Sequence, residues 1–274
     1  MKLKMRSSVR LCSLLLTLSQ LAPLAVGVSP YLTEKPSYML SCQINDADFV
    51  KCSTKSVQRV MDTIIENQGL PGLDSLPPID PLYVKRIRVD QSGSPAVNLD
   101  VELTNIVVRG FNKMKIVESQ VDPKDYHWET KIFLPKMSIR GNYGLKGRIL
   151  LINLNGHGNM SLEIDTLNID LYTTARLYEK GNFTFCNVTD AKASYTIDKL
   201  KTRFDNLFNG NKELEESTNA FFNENWATLN QALQPIIQSA ISEILLKYMR
   251  AIFHFIPANF FVSDIPTSKQ LYGE

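Results

Sequence analysis

The cysteines are the residues of this chain whose spacing points most directly to a covalent bond. Cys42 and Cys52 are separated by nine residues, next to the start of a predicted helix. In an oxidising compartment such a pair forms a local disulfide, which would stabilise the fold by about 3 kcal/mol on the chain-entropy argument. A zinc pair is the alternative, but no Cys-x-x-Cys or paired histidine lies nearby. Cys186 then lacks a partner, and its neighbours Phe183 and Phe185 favour a buried free thiol over a nucleophile.

Motifs that carry catalysis are absent from the sequence. It contains no Gly-x-Ser-x-Gly elbow and no His-Glu-x-x-His helix. The three histidines, His127, His157 and His254, lack metal-ligand spacing, and the glycines of 141–147 are not followed by the Gly-Lys-Ser/Thr of a phosphate loop. We therefore predict no catalytic residue, no metal site and no cofactor. An esterase that acts on a lipid ester stays open as an alternative, although no pair of nucleophile and base is visible.

Residues 1–27 have the order of a secretory signal peptide. Basic residues precede an apolar stretch at 11–28, and Ala25 and Gly27 place small side chains before the cleavage point. The alternative is an uncleaved anchor, but the stretch is short for a membrane span and a proline interrupts it. We predict a secreted, extracellular product that comprises residues 28–274 and has no stable membrane anchoring.

Charge excludes one class of partner, and sequons fit the secretory compartment. Four of the 30 basic residues and none of the 28 acidic residues lie in 1–27, so the rest of the chain has two more acidic than basic residues. A nucleic-acid-binding protein would keep a basic excess to neutralise phosphates, so no nucleic acid is expected as a partner.

Asn-x-Ser/Thr sequons predict N-glycosylation, where exposed, at Asn159, Asn182 and Asn187.

The sequence after Cys52 predicts one helix followed by many strands. Apolar side chains within 57–65 fall on one helical face, and Gly69 and Pro71 end the helix. From about Leu82 to Phe208 apolar and polar residues alternate, which predicts a long antiparallel meander with one apolar face. Turns between the strands are predicted at 93–95, 122–125, 141–147 and 155–159.

The last third of the chain predicts one long helix, from Glu213 to Phe253, because apolar residues recur in steps of three and four. About 41 residues would span roughly 60 Å, whereas a compact domain of this size is roughly 45 Å across, so we expect an elongated molecule. Pro235 can kink the helix or split it in two. The apolar stripe is too wide for one packing partner, and we expect an apolar tunnel between the helix and the sheet. Candidate lining residues are Phe222, Trp226, Leu233, Ile237 and Ile241.

Several motifs together resemble one known family. Segments 76–89, 103–111 and 256–261 are similar to the juvenile-hormone-binding and Takeout proteins of arthropods. The most specific stretch is 134–159, which carries the family pattern Leu-Pro-x-x-x-Ile-x-Gly-x-Tyr-x-x-x-Gly followed by Gly-His-Gly. In this chain the pattern falls on Leu134, Pro135, Ile139, Gly141, Tyr143, Gly147, Gly156 and Gly158. The resemblance covers nearly all of the mature chain, from residue 40 to residue 262.

This resemblance implies an α+β fold in a single domain. A highly curved antiparallel sheet would wrap around one long C-terminal helix and enclose a hydrophobic tunnel, as in tubular lipid-binding proteins. The resemblance also implies a carrier of a small hydrophobic ligand, a juvenile-hormone-like terpenoid or a fatty-acid-type lipid, in circadian, feeding or chemosensory signalling. Hormone carriers have a second disulfide that Cys186 cannot form alone, so the chain resembles the Takeout proteins more. The alternative is a protein-interaction or membrane-surface module, and the identity of any cell-surface receptor stays open.

Overall fold

The computed structural model describes residues 30–91, 97–122, 124–149 and 152–273. The predicted signal peptide and the predicted turn at 93–95 lie outside these residues. The helices of the described part are α1 (Phe49–Glu66), α2 (Lys212–Glu224), α3 (Trp226–Phe255), α4 (Ala258–Phe261) and α5 (Ser268–Tyr272). Its strands are β1 (Leu82–Gln91), β2 (Val97–Arg109), β3 (Lys115–Val121), β4 (Trp128–Ile149), β5 (Ile152–Lys180) and β6 (Phe183–Phe204).

The strands form one antiparallel sheet in the order β1-β2-β4-β5-β6, with β3 paired to the first residues of β4. This confirms the predicted α+β fold with a long antiparallel sheet. β5 has 29 residues, and a straight strand of that length would span roughly 95 Å. The sheet therefore has to bend, and register shifts between Thr104 and Val107 and between Thr174 and Ala175 mark bulges where strands change direction.

Two of the predicted turns are wrong, because 141–147 and 155–159 lie inside β4 and β5. Four of the five glycines there, all except Gly144, allow close approach of another backbone segment. A Cβ atom on Gly147 would stand 2.1 Å from the carbonyl oxygen of Asn98, and one on Gly158 would stand 2.3 Å from that of Asp205. Glycine inside a strand often marks such an approach. The turn predicted at 122–125 is confirmed for its described residues, since Asp122 and His127 bond across the connection between β3 and β4.

The long C-terminal helix is confirmed, but its bounds differ from the prediction. A single helix over 213–253 is wrong, because the chain leaves helical geometry at Asn225, which separates α2 from α3. The side chain of Asn225 bonds the carbonyl oxygen of Phe221 at 3.0 Å and so closes the end of α2. Pro235 lies inside α3 without splitting it. The 30 residues of α3 span roughly 45 Å.

Side chains of α2 and α3 cover the free edge of β6. The amide of Asn223 accepts from the N–H of Thr202 at 2.7 Å and donates to its carbonyl oxygen at 2.9 Å. Asn219 forms the same pair of bonds with Phe204. Further along, the hydroxyl of Ser242 accepts from a backbone N–H of β6. These bonds satisfy backbone groups that an edge strand would otherwise leave unpaired, and they fix the helices against the sheet.

One end of the sheet is closed by α1, α4 and the segment that precedes α1. Cys42 and Cys52 are joined as predicted, with their Cα atoms 5.8 Å apart. The disulfide ties the segment before α1 to the first turn of that helix, and the N–H of Cys42 donates to the carbonyl oxygen of Phe261 in α4. Cys186 is a buried free thiol, as predicted. Burial raises the pKa of this thiol to about 12, so it is not a thiolate at neutral pH.

Candidate ligand cavity

An apolar cavity of about 130 Å³ lies where α1, the sheet and the C-terminal part of α3 meet. Both helices line it with residues at helical spacing, so each presents one continuous apolar face. The helix residues that line it are Val57, Val60, Met61 and Ile64 of α1 and Leu245, Tyr248, Met249, Ile252 and Phe253 of α3. Side chains of β3, β4 and β5 form the opposite wall. The cavity therefore joins parts of the chain that are far apart in sequence.

Three aromatic rings form one corner of this cavity. The ring centroid of Trp128 lies 5.5 Å from that of Phe253 and 6.2 Å from that of Phe261. The two phenylalanine rings are 5.6 Å apart. Such pairs contribute roughly 0.5–1.5 kcal/mol each beyond the area that they bury. This corner is the rigid part of the wall.

Methionines make the remaining wall adaptable. Met61, Met114 and Met249 line the cavity from α1, from the residue before β3 and from α3. Methionine is unbranched and fills irregular space in several rotamers. The cavity can therefore change shape without a change in the backbone.

Three polar side chains at the cavity bond to the protein and leave an apolar surface. Ser119 is fully buried, and its hydroxyl accepts a 3.0 Å hydrogen bond from the indole Nε1 of Trp128. The hydroxyls of Ser119 and Thr130 are 3.3 Å apart. Tyr248 donates to the carbonyl oxygen of Pro78, and burial raises the pKa of this phenol to about 12. The cavity thus favours the apolar part of a ligand, and no described residue places a charged side chain in its lining.

Much of α3 is only loosely covered. From Asn230 to Ala251, a stretch that ends with the cavity-lining turns, none of its residues is buried, although the apolar ones pack against the core of the sheet. Along this stretch the apolar side chains of α3 are half-buried. Half-buried apolar side chains such as Leu233 and Ile241 leave a route by which the cavity can continue along the helix.

The five predicted lining residues lie toward the other end of the helical region, and none borders the 130 Å³ cavity. Phe222 is buried in α2, where its ring packs edge-on against Phe204. Trp226 is half-buried at the first position of α3. The other three, Leu233, Ile237 and Ile241, are half-buried against the sheet. Their contact with a ligand stays a prediction.

Sequence reasoning missed the contribution of α1 to the cavity. The sequence predicted one apolar face on this helix without a role for it, and Val60 and Ile64 of that face are buried. The neighbouring Val57 and Met61 make that face wider than one packing partner requires. The width of this face was the available signal.

A charged group lies at the turn before β4, next to the aromatic corner. His127 Nδ1 is 2.5 Å from an oxygen of Asp125, and Nε2 is 3.1 Å from an oxygen of Glu129. These hydrogen bonds raise the pKa of the His127 ring above its ordinary value. Oxygens of Asp122 and Asp125 and the His127 ring also lie within 4.8 Å of one another, but in the described part of the chain nothing else points to a bound cation.

Comparison with known proteins agrees with this architecture. The crystal structure of Takeout 1 from Epiphyas postvittana superimposes with a TM-score of 0.70 at 23% sequence identity, covering 82% of this chain and 99% of that one. This likeness shows the fold, a curved sheet with a long helix and a tunnel between them.

Curated relatives lead to the same group of proteins. The Drosophila melanogaster "Circadian clock-controlled protein daywake" is 22% identical over 229 residues, 81% of this chain and 86% of that protein. Its Drosophila yakuba counterpart is 26% identical over 189 residues, 65% of this chain and 72% of the relative. The sequence profile described as Haemolymph juvenile hormone binding protein (JHBP) matches residues 14–263, nearly the whole chain. The chain belongs to the haemolymph juvenile hormone binding protein family.

Proposed function

We propose that this protein is a secreted carrier that holds a small hydrophobic ligand between α1, α3 and the sheet. The observation that carries the proposal is the cavity wall, which is apolar because the buried hydroxyls beside it bond to the protein. The family supports a hydrophobic ligand. The mature domain would comprise residues 28–274.

Desolvation alone can supply the binding energy. A terpenoid or fatty-acid-sized ligand that buries roughly 400 Å² of apolar surface gains on the order of 10 kcal/mol before the cost of association. No covalent bond and no cofactor is required for capture of this kind. One or two polar groups would fix the head of the ligand.

The ligand must be slender and must extend beyond the cavity. A volume of about 130 Å³ is smaller than the roughly 300–1,000 Å³ of most ligand sites, so it holds only one end of such a molecule. The rest would lie along the half-buried apolar residues of α3. The flexible methionine side chains at the wall allow the volume to increase.

The direct test is mass spectrometry of lipids that co-purify with the secreted full chain. We expect one class of slender apolar molecule in a fixed ratio to protein, and competition of that class with a fluorescent fatty-acid analogue. Protein that is free of lipid and does not bind the analogue or a juvenile-hormone-like terpenoid would overturn the proposal.

The names of the curated relatives carry a finer proposal, that the carrier is made under circadian control. Transcript measured through a light–dark cycle and then in constant darkness should oscillate with a period near one day. A constant level in both conditions would remove this part of the proposal and leave ligand carriage untouched.

A membrane-surface module is the second candidate, because the middle of α3 is not buried. No helix in the part of the chain that the structure describes is long and apolar enough to cross a membrane. Co-sedimentation with vesicles of neutral and of anionic phospholipid separates the two functions. A carrier should stay in the supernatant with its ligand, whereas a surface module should sediment as intact protein.

A further inference from the structure

A second cleft, of about 410 Å³, lies on the solvent side of the sheet and shares no lining residue with the ligand cavity. Its lining combines amides, a hydroxyl and guanidinium groups of β2, β4, β5 and β6 with the carboxylate of Asp205 and with apolar atoms, among them those of Val107 and Met160. The lining residues on which the argument depends are Asn105, Arg140, Asn142, Asn159 and Ser161. Such a surface suits a ligand that offers many hydroxyl and amide groups.

Three asparagine amides form a ladder across this cleft. Asn105 stands at the bulge in β2 with a positive φ, which asparagine tolerates better than most residues. Its Nδ2 donates to Oδ1 of Asn142 at 3.2 Å, and Nδ2 of Asn142 donates to Oδ1 of Asn159 at 3.0 Å. The bond from Asn142 to Oδ1 therefore orients the side-chain amide of Asn159.

The nitrogen at the end of the ladder is left available. Oδ1 of Asn159 accepts a bond, whereas none of the described residues bonds its Nδ2. Asn159 is exposed, and Met160 and Ser161, which complete its sequon, line the same cleft. Nδ2 is the atom to which N-glycosylation attaches a sugar.

The other two sequons are exposed but lie elsewhere. Asn182 occupies the tight turn between β5 and β6, and Asn187 lies on β6 opposite Arg176. Neither asparagine borders the cleft or the ligand cavity. Asn159 alone among the three combines a free amide nitrogen with a polar cleft beside it.

We propose that Asn159 carries an N-linked glycan whose first sugar residues lie in this cleft. The bond forms between Nδ2 and C1 of N-acetylglucosamine. Nδ2 loses a proton, and the pyrophosphate of a lipid-linked oligosaccharide donor leaves. Asn105 and Arg140 then donate hydrogen bonds to sugar oxygens, since Arg140 has no acidic partner within ion-pair distance among the described residues. The proposal rests on export through the secretory pathway, which is part of the proposed function.

The test begins with occupancy. The chain is secreted from insect cells in two forms, with its own leader and with an unrelated secretion leader placed before residue 28. Glycopeptide mass spectrometry should find a glycan on Asn159 in both forms, and N159Q should remove it. An unmodified Asn159 in the secreted protein overturns the proposal, and it does so independently of any ligand measurement.

The second measurement asks whether the glycan lies in the cleft. A glycosidase that cleaves between the first two sugars should act at least about five-fold more slowly on the native protein than on unfolded protein, because the cleft shields the bond. R140A should reduce this protection while thermal stability is unchanged, and K199A, an exposed change on β6, is the matched control. Equal rates on native and unfolded protein would show a glycan that projects into solvent and would overturn the placement.

Discussion

Trp128 donates a hydrogen bond of 3.0 Å from its indole Nε1 to the hydroxyl oxygen of Ser119, and both side chains are buried beside the ligand cavity. The bond turns the only polar atom of the indole ring away from the cavity, so that the ring can line it as an apolar surface. The hydroxyl of Ser119 on β3 thus keeps the surface that Trp128 on β4 presents to the cavity apolar.

Removal of that hydroxyl should destabilise the protein. In S119A the indole N–H of Trp128 loses its acceptor in a buried place, which costs about 1–3 kcal/mol in the free energy of unfolding. Urea denaturation followed by tryptophan fluorescence measures the change. S239A removes an exposed hydroxyl from α3 and should change stability by less than about 0.5 kcal/mol. Equal stability of S119A and wild type would show that the indole has another partner.

Thiol chemistry should distinguish the three cysteines of residues 28–274, studied as a chain that begins at residue 28. Cys42 and Cys52 are bonded to each other and Cys186 is buried, so native protein should react with a maleimide at none of them. After unfolding without reductant, one thiol per chain should react, and peptide mapping should assign it to Cys186. Reaction of Cys42 before reduction would contradict the disulfide.

The sequence predicted best those features that local chemistry decides. The spacing of Cys42 and Cys52 is enough for a disulfide, and alternation of apolar residues is enough for strands. The glycines of β4 and β5 were misread because a glycine-rich stretch looks the same in a turn and in a strand. The carbonyl oxygens of Asn98 against Gly147 and of Asp205 against Gly158 show that a side chain cannot fit there, and such contacts depend on the whole sheet.

The site was harder to predict than the fold for the same reason. Val57 of α1 and Leu245 of α3 meet at one cavity although they are nearly 190 positions apart in the sequence. Each helix showed an apolar face, but no local pattern says which turn of α3 faces α1. The position of α3 is set where the end of α3 and α4 pack against β4, through the rings of Phe253 and Phe261 beside Trp128.

Acidity should affect the turn before β4 through His127. Its pKa is raised by hydrogen bonds to Asp125 and Glu129, so the protonated ring is more favourable in the folded state than in the unfolded one. This contribution to stability is fully present below the unfolded pKa of about 6.5 and is lost as pH rises through the higher folded pKa. D125N removes the carboxylate that bonds Nδ1, the main cause of the raised pKa, and should lower the midpoint of the His127 ring in an NMR titration.

The control for this titration is D198N, a change of an exposed aspartate on β6. It should leave the His127 midpoint where it is in the wild type. A midpoint that does not move in D125N would show that Asp125 does not hold the ring in solution.

The extent of the ligand along α3 can be measured with two tryptophan substitutions. Leu245 lines the cavity, so L245W should fill it, weaken binding of a fluorescent fatty-acid analogue by at least about ten-fold and cost about 1–3 kcal/mol of stability through overpacking. I237W lies two turns nearer the start of α3, at a half-buried position outside the cavity. If the ligand continues along the helix as we propose, I237W should also weaken binding, at a smaller cost in stability because its side chain has more room.

S239W, at an exposed position of α3, should bind the analogue like the wild type. Loss of binding in L245W alone would confine the ligand to the end of the molecule near α1, and unchanged binding in both variants would remove the ligand from this helix.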